Sequence, residues 1–116
     1  MFKRIVLLSF FCSFGLSANA QYECPVSGIW DHSSKPAQLF FDSNKAEISV
    51  HSHANNADAV GSVVIKDIKI DKAQHNWSAK MYSAVENSYV TVQVRPKGCN
   101  QLSVYFQGEE VLKLLR

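Results

Sequence analysis

Tyr89-Val90-Thr91-Val92-Gln93-Val94-Arg95, the turn Pro96-Lys97-Gly98-Cys99-Asn100 and the run Leu102-Ser103-Val104-Tyr105-Phe106-Gln107 decide the fold class. In the first run Val90, Val92 and Val94 point one way while Tyr89, Thr91, Gln93 and Arg95 point the other, the two-residue period of a half-buried strand. Proline, glycine and asparagine then turn the chain. In the next run Leu102, Val104 and Phe106 form the buried side, with Ser103, Tyr105 and Gln107 outward. This is a hairpin.

The same grammar runs upstream. Gln38 to Phe41 and Ala46 to His53 form a hairpin closed by Asp42-Ser43-Asn44-Lys45, with Ile48 and Val50 alternating with Glu47, Ser49 and His51. Ala54 to Asp58 is a polar loop. Val60 to Asp71 reads as one long strand whose apolar residues fall on both parities, so its face switches near Ile65, as a bulge or bend would make it do. His75 to Ser83 follows the Asp71-Lys72-Ala73-Gln74 turn, and Val85-Glu86-Asn87-Ser88 makes another turn. Glu109 to Arg116 fits either a short helix or a last strand; the hairpin-like connections before it favour strand. With Gly28 to His32 as the first strand there are about eight. Short strands in this number predict an all-β meander that closes into a small antiparallel barrel or a tight sandwich and so removes its exposed edges.

The N-terminus sets the expected location. Lys3 and Arg4, the apolar run Ile5 to Leu16 and Ser17-Ala18-Asn19-Ala20 read as a signal peptide over residues 1–20, cleaved before Gln21. The apolar run is too short to span a bilayer comfortably, and no later segment is apolar enough to do so. The expected product is one exported β domain, residues 21–116, in the periplasm of a Gram-negative cell. Removing Lys3 and Arg4 from the 12 Lys+Arg leaves 10, against 10 Asp+Glu. A neutral domain with scattered charges carries no footprint for nucleic acid or an anionic membrane surface. Cys12 leaves with the signal, so Cys24 and Cys99 allow one intramolecular pairing, which an oxidising compartment favours.

Two pieces of sequence resemble known families. Gly28-Ile29-Trp30 sits at the start of the first strand, where lipocalin-like (calycin) barrels carry G-x-W, and that resemblance implies that Trp30 plugs one barrel end. Trp77-Ser78-Ala79-Lys80-Met81-Tyr82, then Tyr89, then Leu102 to Phe106, resemble the C-terminal half of a family of small secreted bacterial domains of unsettled activity, similar to calycin barrels in fold. The chain departs from that family at Ser83, where an acidic residue and proline are usual, before Tyr89, where glycine is missing, and at the Leu-Leu-Arg end. The resemblance therefore speaks to a barrel and is silent on chemistry; Trp77, an aromatic at a strand position, is read with Trp30 as a barrel-end plug.

Candidate sites are few. His51 and His53 form an H-x-H pair on one strand face, the way β proteins present imidazoles to zinc or copper, with Glu47 and Ser49 on that face and His32 or His75 as a third ligand. The plain alternative is a solvated outer face. No nucleophile elbow, H-E-x-x-H motif or phosphate-cradling glycine loop is present, so neither an enzyme nor a cofactor is expected. Tyr89 and Thr91 with Tyr105 and Gln107 would make an exposed tyrosine patch with polar neighbours, a surface of the kind that binds proteins. The expected function is accordingly a non-catalytic exported binding protein that engages another protein, as an inhibitor, immunity or accessory factor does. A carrier of a small apolar ligand in the barrel and a metal binder using His51 and His53 are the alternatives.

Overall fold

The computed structural model describes residues 24–116; the signal-peptide reading and the cleavage site before Gln21 lie outside the described residues. Eight antiparallel strands form a closed barrel in sequence order: β1 (Gly28–His32), β2 (Ala37–Asp42), β3 (Glu47–His53), β4 (Val63–Lys66), β5 (Trp77–Ser83), β6 (Ser88–Pro96), β7 (Gln101–Phe106) and β8 (Glu109–Leu115). The barrel is sealed where Asp31 and His32 pair with Leu115 and Leu114. The tail is thus the closing strand, because its Leu112 and Leu114 are needed inside the barrel. The one other element among the described residues is a single 3-10 turn, Ala57–Ala59.

Inward positions alternate as the pattern requires. Trp30, Phe41, Ile48, Ile65, Trp77, Val92, Val94, Leu102, Val104 and Leu114 are each 1% exposed or less and fill the interior. Burying side chains of this size stabilises the fold by roughly 1.5–3 kcal/mol each before chain entropy is subtracted. The barrel's two ends differ. One carries the Ser43–Ala46 loop, the segment 67–76 and the turn 97–100, and it is stapled by the Cys24–Cys99 disulfide. At this closed end the Trp30 indole N–H donates to the Val26 carbonyl at 2.9 Å, and the Arg116 guanidinium lies 4.0 Å from the Trp30 ring. Arg116 also donates to the carbonyls of Pro25, Ser27 and Cys99. The Trp77 indole N–H is shared between the carbonyls of Asp71 and Gln74, at 2.8 and 3.0 Å.

Several details depart from the sequence reading. The long strand 60–71 is only four residues, Val63–Lys66, because Asp67 takes a left-handed φ of 54° and re-aims the chain. The expected switch near Ile65 is a register shift between Ile48 and Ser49 that leaves Val64 as the extra residue, so Val64 and Ile65 both pack on the core. β5 begins at Trp77 rather than His75, since the indole ties down the preceding loop. Gln107 is not an outward strand residue. Gln107 (φ 51°) and Gly108 (φ 86°) form the two-residue β7–β8 turn, and positive φ at both places makes it the I′ type that matches strand twist. Ser103 is outward by parity yet fully buried, flanked by Arg95 and Lys113 on the neighbouring strands and hydrogen-bonded to the Gln101 amide at 2.9 Å.

Candidate functional site

The open end of the barrel carries the β1–β2, β3–β4, β5–β6 and β7–β8 connections. One of these connections closes the β5–β6 hairpin. β6 pairs with β5 from Ser88 to Val94 but with β7 only from Gln93 to Pro96, so the hairpin projects beyond the β7–β8 turn. The β7-facing edge of Ser88 to Thr91 therefore has no strand across from it among the described residues. An unpaired edge of this kind is a template for a further strand.

The tip of the hairpin is held stiff by its own side chains. Tyr82 and Tyr89 are direct cross-strand partners with ring centroids 5.6 Å apart and planes at 74°, an edge-to-face contact. The Tyr82 hydroxyl donates to Asn87 Oδ1 at 2.8 Å and the Tyr89 hydroxyl to the Val63 carbonyl at 3.0 Å. The Lys66 ammonium sits 4.2 Å from the Tyr89 centroid. Above this frame Val85 is 94% exposed, the most exposed large apolar residue among those described. Beside it a cleft of about 170 Å³ opens between the two hairpins, lined by Met81, Val90, Val92, Phe106 and Val111 among others.

The expected tyrosine patch is split. Tyr105 pairs with Gln93, not with Tyr89 or Thr91, because the strand register offsets the two tyrosines. Tyr105 instead belongs to a basic cluster on the barrel wall, with Arg95 at 4.4 Å and Lys97 at 5.4 Å from its ring and Lys97 Nζ donating to its hydroxyl at 2.8 Å. Thr91 is exposed opposite Lys80, and Gln107 lies in the β7–β8 turn. Tyr89 and the Gln107 turn both lie at the open end, and the companions of Tyr89 on its hairpin are Tyr82 and Val85. The loop is residues 84–87 rather than the expected Val85–Ser88, and that one-residue difference sets Tyr82 opposite Tyr89.

His51 and His53 do not share a face. Gln38 pairs with Ser52 but Leu39 with Val50, so His51 is the extra residue of a bulge. His51 is left exposed, whereas His53 pairs with inward-facing Ala37 and lines a second cleft together with His32. Among the described residues no group of three or more His, Cys, Asp or Glu is placed to hold a metal ion.

Burial, then the charge of Lys35, then His53 hold the His32 imidazole below its ordinary pKa of 6.5. The folded protein resists a proton that the unfolded chain accepts at the ordinary value, so His32's contribution to stability is complete above 6.5 and is lost as pH falls below it. The urea midpoint is expected to fall between about pH 7 and about pH 5, with a shallower fall in His32→Gln. An unchanged pH slope in that variant would contradict this.

No helix among the described residues is long and apolar enough to cross a membrane. No family model matches the chain, and neither a curated protein nor a solved structure matches it.

Proposed function

We propose that this chain is a non-catalytic, exported binding domain that engages another protein through the open end of its barrel, with the β5–β6 hairpin leading. The observation that carries the reading is Val85, almost wholly exposed at the tip of a hairpin braced by Tyr82, Tyr89 and Lys66. A rigid aromatic frame presents apolar surface at little entropic cost, which is how interface anchors work. The unpaired β6 edge and the neighbouring apolar cleft extend the surface in the same direction. The Cys24–Cys99 disulfide supports export, to the periplasm in this reading.

The alternatives draw less support. A carrier needs an interior cavity, and the interior here is occupied by tryptophan, phenylalanine and branched side chains. The clefts at the mouth, about 170 and 200 Å³, fall below the range of roughly 300–1,000 Å³ that small-molecule sites occupy, and the cleft of about 310 Å³ beside Val26, Ile70 and Trp77 at the stapled end only reaches its lower limit. A metal site needs His51 and His53 together, and the bulge parts them.

Val85→Asp tests the reading. At an exposed turn it is expected to change stability by less than about 0.5 kcal/mol. It should weaken partner binding at least about tenfold, because a charge must then be desolvated at the contact. Native mass spectrometry of the wild type and the variant, purified from the cells that make them, reads this directly. A polypeptide adduct that is lost in Val85→Asp agrees with the proposal; a lipid or metal adduct, indifferent to Val85, contradicts it.

A further inference from the structure

The second cleft at the open end has a chemistry of its own. It encloses about 200 Å³ on the β1–β3 side of Met81, a residue that also lines the cleft beside the hairpin. Its walls are apolar, formed by Leu39, Val50, Val64 and Leu112, and its polar members are His32, Lys35 and His53, with no carboxylate. The Ser34 amide donates to His32 Nδ1 at 3.1 Å, and the Asn55 amide donates to His53 Nδ1 at 3.2 Å. A backbone N–H can only donate, so both Nδ1 atoms are bare and each neutral ring offers Nε2–H as its remaining edge. This tautomer suits an acceptor oxygen. A metal would need a bare nitrogen instead. The Lys35 ammonium has no hydrogen-bond or ion-pair partner among the described residues.

Three donors, one of them cationic, thus surround an apolar hollow that contains no acid. The complementary ligand is an apolar group with a carboxylate directly attached, since charge-assisted hydrogen bonds favour an ionised acceptor. The hollow is also short. Ile48 and Ile65 behind it are fully buried and Leu39 nearly so, which leaves a long hydrocarbon tail no path into the barrel. A single side chain with its own carboxylate fits, and the last residue of a polypeptide has both on one Cα. The rest of such a chain would leave through the open mouth toward the β5–β6 hairpin.

We infer that this cleft takes the C-terminal residue of the partner polypeptide, its apolar side chain among Leu39, Val50, Met81 and Leu112 and its carboxylate against His32, Lys35 and His53. The inference rests on the protein-binding reading above and adds the chemical class of the partner's contact.

The test titrates the mature, disulfide-bonded chain with acetylated tripeptides ending in Val, Leu or Phe, each as free acid and as amide, and with octanoate. The readout is the NMR shift of the Met81 methyl and of the two imidazoles. A free acid is expected to bind at least about tenfold more tightly than its amide. Lys35→Ala and His53→Gln, each checked for an intact fold by the same spectra, should each lose acid binding several-fold, while Asn44→Ala, in the β2–β3 loop at the opposite end, leaves it unchanged. Equal binding of acid and amide, no binding by any peptide, or binding by octanoate alone would overturn the inference, the last result pointing to a free apolar acid. If the peptides fail while Val85→Asp still strips a polypeptide from the purified protein, the C-terminus inference falls and the partner reading stands. If acid-selective binding is found but the adduct ignores Val85, the hairpin reading falls.

Discussion

Trp30→Ala is expected to destabilise the domain by about 3–5 kcal/mol, the range for truncating a fully buried aromatic side chain. Trp30 is 0% exposed, its N–H satisfies the Val26 carbonyl, and its ring is the platform on which Arg116 lies. Alanine would leave a cavity, an unpaired buried carbonyl and a guanidinium without its stacking surface. Domains of this size are stable by only about 5–15 kcal/mol, so the variant should be near its unfolding threshold at ambient temperature. Trp30→Phe keeps most of the volume and should cost less, chiefly the hydrogen bond and some packing. Urea denaturation of the three proteins separates these contributions. A loss below about 1 kcal/mol in Trp30→Ala would show that the closed end does not depend on this plug.

Removing the disulfide should cost about as much. Cys24 and Cys99 are 75 positions apart in sequence, with Cα atoms at 5.5 Å. Closing a loop of that length in the unfolded chain is worth about 4 kcal/mol in the chain-entropy model. The double variant Cys24→Ala/Cys99→Ala, or the reduced wild type, is expected to lose that amount in a urea titration, with the two routes agreeing. A loss under about 1 kcal/mol would mean that the unfolded chain is already compact. The two closed-end changes should not add, because Arg116 reaches from the Trp30 ring to the Cys99 carbonyl and is disturbed by both.

Much of the fold was legible in the residues, and the failures have physical causes. The strand and turn pattern located seven of the strands closely, the last of them because the hairpin-like connections before it favoured strand over helix. Even the face switch near Ile65 could be read, because Val63, Val64 and Ile65 occupy both parities. The end of β4 at Lys66 could not, because it depends on a left-handed backbone at Asp67, a conformation that asparagine or glycine signals more clearly than aspartate. Likewise Gln107 looked like a strand residue because glutamine seldom marks a turn; the Gly108 beside it was the better clue.

The candidate sites were less legible, because adjacency on a barrel depends on register. One extra residue at His51 separates two histidines that any strict alternation would put together. The offset between β6 and β7 takes Tyr105 away from Tyr89 and gives it to Arg95 and Lys97. Conversely His53 meets the near neighbours His32 and Lys35, well upstream of it in sequence, at one cleft only because β1, β2 and β3 are neighbours at the open end. No local pattern encodes that meeting. Tyr82 follows the same rule, since its pairing with Tyr89 needs the loop to be residues 84–87, one position before the Val85–Ser88 turn that the sequence suggests.

The central claim is that the β5–β6 hairpin is where another protein docks. A photocrosslinking side chain placed at Val85, and for comparison at Asn44 on the opposite end, tests it most directly in the cells that make the protein. The account predicts one polypeptide adduct of defined mass from position 85 and none from position 44. The same adducts from both positions, or none from position 85, would contradict it.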